Sequence, residues 1–196
     1  MEITDIKQHV ELMKTHGFQF FEPVNLHVPD SERALRSVME YFVKKDTKEF
    51  VWLPEYNHVA AWLHNNEGRG LCLYGTNGSG KTILIQKAIP LLILRHCSKV
   101  IRCFNYFDLN NHADNIINLR LLSIDDAGME QEGIIYGNKR WMFPEIMDIA
   151  EKKKNVVLIS SNLNGQGFCD KYGVRTFERI VATTKRIEFN YKSLRV

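Results

Sequence analysis

Gly75-Thr76-Asn77-Gly78-Ser79-Gly80-Lys81-Thr82 stands between a short apolar run, Leu71 to Tyr74, and a stretch that reads as helix over about residues 82–95. The spacing is G-x-x-x-x-G-K-[ST], the P-loop pattern. A turn that aims several backbone N–H groups at phosphate oxygens must be tight and free of side chains, so glycine recurs in it. The helix it opens adds further N–H groups and the positive end of a dipole. Lys81 supplies a mobile positive charge for the β- and γ-phosphates, and the Thr82 hydroxyl is placed to ligate Mg²⁺. A chance match in a chain of this length has a probability on the order of one per cent at ordinary residue frequencies. Residues Gly75, Thr76, Asn77, Gly78, Ser79, Gly80, Lys81 and Thr82 are therefore expected to cradle a triphosphate.

Three downstream segments extend this reading. Leu121-Leu122-Ser123-Ile124-Asp125-Asp126 is an apolar strand ending in two acids. Asp125, at the carboxyl edge, is expected to hold Mg²⁺ through water, and Asp126 to polarise the water that attacks the γ-phosphate. Adjacent carboxylates repel each other, which is tolerable where a metal neutralises one. Val156 to Ser161 is a second apolar strand, and Asn162 after it would orient that water or cap the next turn. In Tyr172-Gly173-Val174-Arg175-Thr176-Phe177-Glu178-Arg179-Ile180, the two arginines lie four apart on one helix face. Either can serve a phosphate as an arginine finger, in its own subunit or a neighbour's. Alternatively they form a salt-bridged surface helix with Glu178.

The remaining periodicity predicts a helix over 4–16, ended by Gly17, then an aromatic cluster of Phe18, Phe20 and Phe21. That cluster packs on the sheet or lines a pocket for the base. A helix follows from Asp30-Ser31 to about Lys45, and another from Pro54 to about Asn65–Gly68. Pro90 should kink or shorten the helix over 82–95. Val100–Tyr106 and Leu119–Ile124 read as strands, 141–154 as an amphipathic helix, and Arg186–Tyr191 as an edge strand. Gly133–Lys139 reads as a glycine-rich loop carrying Tyr136 and Lys139, with Arg140 beside it. It is an ordinary connection or a contact to DNA. Apolar strands alternating with helices predict an α/β fold with a mostly parallel five-stranded sheet and helices on both faces. Residues 1–50 form an N-terminal helical region and 51–196 the P-loop domain.

Composition bounds the rest. With 44% hydrophobic and 25% charged residues the chain can bury a core, which excludes overall disorder. The longest apolar run, Ala88 to Leu94, is far short of the 18 or more residues a membrane span requires. The opening Met-Glu-Ile-Thr-Asp lacks a basic segment followed by an apolar one, so a cytoplasmic location is expected. Cys72, Cys97, Cys103 and Cys169 show no Cys-x-x-Cys spacing and read as reduced thiols. Residues 1–138 carry 14 basic and 17 acidic residues, and residues 139–196 carry 12 and 6. A basic final third suits a polyanion or a solvated face.

The order of these motifs resembles a family. The P-loop, Ser-Ile-Asp-Asp-Ala-Gly-Met-Glu (123–130), Ile-Ser-Ser-Asn-Leu (159–163) and Tyr-Gly-x-Arg-Thr-x-x-Arg-Ile (172–180) are similar to those of the DnaC-type helicase loaders and IstB-like transposition ATPases, both AAA+ proteins. The resemblance covers roughly residues 50–196. It implies a sheet with the P-loop strand central, ATP hydrolysis with Mg²⁺ at interfaces of a nucleotide-dependent homo-oligomer, and binding of single-stranded DNA. It makes Asn162 the sensor-1 residue and Arg179 the finger presented in trans, with Arg175 beside it. Ser193-Leu194-Arg195 resembles the family's Ser-x-Arg, in which Arg195 would sense the nucleotide. The expected function is that of a DNA-replication accessory ATPase acting on DNA or a replicative helicase. The alternatives are a transposition helper ATPase and a nucleotide-gated interaction protein with little hydrolysis. A small-molecule kinase and an ABC-type ATPase fit the motifs less well, since Gly165-Gln166-Gly167 is not the signature of the latter.

Overall fold

The computed structural model describes residues 3–46, 49–111, 113–130, 133–135 and 138–191. Three helices come first, α1 (Ile3–Thr15), α2 (Ser31–Asp46) and α3 (Glu55–His64). Strand β1 (Gly70–Gly75) leads through the glycine loop into one continuous helical rod. Its parts are α4 (Lys81–Ile83), a π-helical turn (Leu84–Ala88) and α5 (Ile89–Cys97). Then follow β2 (Arg102–Asn105), α6 (Asp108–Asn111), α7 (Ala113–Ile116), β3 (Leu121–Asp125), and a hairpin of β4 (Gly133–Ile135) and β5 (Asn138–Arg140). The chain continues as α8 (Met142–Lys153), β6 (Val156–Ser161), α9 (Gly165–Tyr172), α10 (Val174–Thr183) and β7 (Thr184–Phe189).

Five strands form one sheet in the order β2-β3-β6-β1-β7, and every pairing in it is parallel. The α/β fold expected from the alternating pattern is thus the observed one. Strand β1 is interior, between β6 and β7, while β6 holds the middle position. Strand alternation divides the apolar side chains between two cores. Leu71, Leu73, Val156 and Leu158 face α2, α3 and the rod, in a core with Leu35, Met39 and Trp62. Cys72, Val157, Ile159, Leu122 and Ile124 face α8, α9 and α10, with Phe143, Met147 and Phe168. Helix α2 shares the first core, whereas α1 buries none of its side chains.

Three local expectations differ from the structure. Pro90 does not shorten its helix: the rod runs to Cys97, and the turn before Pro90 widens to π spacing, with the Ile89 N–H on the Leu84 carbonyl. A proline ring clashes with the carbonyl four residues back, and the wider turn relieves that clash. The Ile85 carbonyl then accepts the Ser123 hydroxyl of β3 at 2.9 Å. The segment read as a glycine-rich loop holds the β4–β5 hairpin, with Gly133 opposite Arg140. Tyr136 and the side chains of Lys139 and Arg140 lie outside the described residues. Finally, Phe18 and Phe20 are exposed, and Phe21 sits near the Arg120 and Lys153 cations at 5.6 and 6.0 Å. Arg120 precedes β3, so Phe21 is at the sheet edge opposite the glycine loop.

Candidate functional site

Strands β3, β6 and β1 are neighbours, and all three end at the same sheet edge. That edge brings together Asp125 and Asp126 after β3, Asn162 after β6 and the glycine loop after β1. Carboxyl edges of parallel strands are the general location of ligand sites in such sheets.

The loop is anchored on three sides. Thr76 donates through its N–H and its hydroxyl to the Phe189 carbonyl at 2.9 and 3.0 Å, and its hydroxyl also reaches the Tyr191 carbonyl at 2.7 Å. Ser79 Oγ donates to the Thr76 carbonyl at 3.0 Å. From below, the buried Tyr56 hydroxyl of α3 donates to the Ser79 carbonyl at 3.1 Å. Burial, with the Glu55 charge second, pushes the Tyr56 phenol up, so it stays a proton donor. Gly80 has φ +83° and a Cβ there would lie 2.6 Å from that hydroxyl, so both backbone and space require glycine. Lys81, only 6% exposed, donates to the carbonyls of Gly75 at 2.9 Å and Thr76 at 2.6 Å. Its ammonium is therefore held at the mouth of the loop. Asn77 is exposed, and Gly78 takes φ +80° at the crest.

Thr82 Oγ1 donates to Asp125 Oδ1 at 3.1 Å, which joins the first turn of the rod to β3. The same carboxylate oxygen accepts the buried Ser160 hydroxyl of β6. Ser160 Oγ in turn accepts the Asp126 N–H at 3.0 Å, and its carbonyl accepts the Ala127 N–H at 2.9 Å. Ser161 Oγ donates to the Ala127 carbonyl at 2.5 Å and accepts the Leu163 N–H at 3.0 Å. The two serines hold the acidic turn, with Asp126 at φ +53°, a conformation that aspartate tolerates better than most residues. Asn162 is exposed at the end of β6. Ser160, Ser161 and Tyr56 support the candidate site, and motif reading missed them. The signal for the serines was two hydroxyls closing an otherwise apolar buried strand.

The arginines of α10 lie in different surroundings. Arg175 is exposed. Arg179 has a side chain only 12% exposed, held by Asp148 and, at 3.2 Å, by Glu151, both of α8. The partners are on a neighbouring helix, not Glu178 of its own. Arg195 lies outside the described residues. Among the described residues no cluster of three or more His, Cys, Asp or Glu could hold a metal ion, and no helix is long and apolar enough to cross a membrane. The four cysteines are free thiols.

No protein-family model matches the chain. Solved structures do. The DnaC helicase loader superposes with a TM-score of 0.60 at 17% identity, over 81% of this chain and 99% of that one. DnaI superposes at 0.52 and 22% identity, over 65% of this chain and 73% of that one. AMPPCP-bound DnaA from Aquifex aeolicus superposes at 0.52 and 16% identity, over 71% of this chain and 48% of that one. At these identities the likeness is one of fold alone: the chain shares its P-loop α/β fold with the DnaC helicase loader.

Proposed function

We propose that the chain is an ATPase of helicase-loader type. In this reading it binds and hydrolyses Mg·ATP, assembles with copies of itself when nucleotide is bound, and acts in the cytoplasm on single-stranded DNA or a replicative helicase. The observation that carries it is the meeting of Thr82 Oγ1 and Asp125 Oδ1 at 3.1 Å beside a glycine loop that holds the Lys81 ammonium. A hydroxyl and a carboxylate on adjacent elements form the hard oxygen pair that suits Mg²⁺. Thr82 and Asp125 would hold Mg²⁺, which would supply neutralisation of the charge that develops on the phosphates.

The chain's own residues divide the remaining work. Backbone N–H groups of 78–82 and Lys81 bind the phosphates, Lys81 exchanging two carbonyls for phosphate oxygens. Asp126, fixed by Ser160, accepts the proton of the attacking water, and Asn162 orients that water. Arg175, exposed at the start of α10, reaches a neighbouring subunit's phosphate. Arg179, the finger expected from the resemblance, serves only if it leaves Asp148 and Glu151. Arg195 senses the nucleotide. Residues 51–196 form the ATPase unit, with 1–50 as an N-terminal helical region. The similarity to a DnaC helicase loader and to a putative primosome component from Streptococcus pyogenes serotype M3 favours replication over transposition.

Isothermal titration and phosphate release test the reading. Wild type should bind Mg·ATP, and Lys81→Ala should not. Asp126→Asn should bind and hydrolyse about 100-fold more slowly, the size of a lost general base. Absence of binding heat from wild type at millimolar Mg·ATP sinks the proposal.

A further inference from the structure

Two of the motif segments are joined by a buried contact that the proposed chemistry does not use. Glu130 is 2% exposed. One of its carboxylate oxygens accepts the Tyr172 hydroxyl, and the other accepts the Gly128 N–H at 2.8 Å. Lys171 Nζ donates to the carbonyls of Gly128 at 2.6 Å and Glu130 at 2.9 Å, and sits 4.9 Å from the Trp141 ring centre. A carboxylate is kept in the interior only where donors satisfy it, and here a phenol and an amide do so. Burial is the main cause that pushes the Tyr172 phenol up, and the Glu130 charge adds to it, so the hydroxyl remains a donor.

This contact fixes the far end of the turn whose near end Ser160 and Ser161 hold. The segment 126–130 is thus gripped by β6 on one side and by the last turn of α9 on the other. Immediately after Tyr172 comes Gly173, with φ +85° and nothing within 4 Å of where a Cβ would stand. It joins α9 to α10, and Arg175 follows in the first turn of α10. Glu130 thus ties the acidic turn to the end of α9, immediately before the Gly173 joint that leads into α10.

We propose that Glu130, Lys171 and Tyr172 are positioning residues that link occupation of the acidic turn to the α9–α10 joint and so to Arg175. The linkage rests on reading the site as a nucleotide site. Residue-resolved hydrogen exchange by NMR on the full chain, with and without Mg·AMPPCP, tests it. In wild type the ligand should slow exchange at 75–82 and at 170–177. Tyr172→Phe keeps the ring but removes the donor. It should retain protection at 75–82, lose it at 170–177, and raise ligand-free exchange of the Gly128 amide by about tenfold, the scale of one hydrogen bond to a charged acceptor. Equal protection of 170–177 in both proteins overturns the linkage, as does wild-type protection confined to 75–82. If 75–82 is unprotected in wild type, the nucleotide reading fails. The latch is then judged on ligand-free exchange: a faster Gly128 amide in the variant supports it and an unchanged one overturns it. Glu130→Gln, which keeps the shape and removes the charge, provides the same readouts should Tyr172→Phe not fold.

Discussion

Asp126 takes a left-handed backbone conformation directly after a strand, and Ser160 is what holds it there. Replacing Ser160 with alanine leaves the half-buried Asp126 N–H without its acceptor and removes one donor from Asp125 Oδ1, which keeps that of Thr82. An orphaned buried group costs about 1–3 kcal/mol. Ser160→Ala should lower the unfolding free energy by that amount, read as a lower urea midpoint with an unchanged slope by tryptophan fluorescence; an unshifted midpoint would mean that the turn is held by something else. The acids and Lys81 are legible in the sequence because their chemistry depends on local spacing along one loop or strand end. Ser160 is not, because its role depends on register. Ile124 pairs with Ile159, which sets Asp125 beside Ser160, and nothing in either segment alone announces that alignment. Tyr56 is hidden for the same reason, reaching Ser79 from a helix that precedes the loop by a whole strand.

At the scale of elements, the α8–α10 contact has a pH dependence of definite sign. Lys152, through a hydrogen bond, and then the Arg179 and Arg175 charges hold the Asp148 carboxyl below the usual carboxylate range, against an opposing contribution from burial. A carboxyl depressed in the folded state stabilises it above the unfolded pKa, about 4, and this contribution is lost as pH falls through the folded value. Asp148→Asn should therefore destabilise by ~1 kcal/mol at pH 7, as expected for a partly exposed ion pair. The gap between variant and wild type should close below about pH 4, in urea titrations across pH. A constant gap would assign the loss to packing. The four-residue spacing of Arg175 and Arg179 was readable as a shared helix face, but the carboxylates that clamp one of them belong to α8 and enter only through packing. The rod shows a similar limit. Its helical periodicity was clear, but that Pro90 is absorbed by a π turn depends on Ser123 across the interface supplying a donor to the Ile85 carbonyl.

At the scale of the molecule, β1 is the strand through which the two cores and the loop communicate, since it pairs with β6 on one side and β7 on the other. Alternation of apolar strands with helices made the parallel, doubly covered sheet legible. Strand order was not, because nothing local states which of several equivalent apolar strands lies beside β1. Its two terminal glycines fit that crowded position. A Cβ on Gly75 would stand 2.3 Å from the Phe189 carbonyl oxygen, and one on Gly70 would stand 2.2 Å from the Val157 carbonyl oxygen. The obstacle at Gly70 is backbone of the central strand, which cannot yield as a side-chain tip does. Gly70→Ala must push β1 and β6 apart where both cores meet the sheet, and overpacking of this kind costs about 3 kcal/mol or more. For a chain of this size that corresponds to a fall in Tm of roughly 6–12 °C by scanning calorimetry. Gly17 supplies the control: its φ is +89° but nothing lies within 4 Å, so Gly17→Ala carries backbone strain without a collision. Gly70→Ala should be the more damaging of the two, and equal losses would show that strand separation at β1 is not what limits stability.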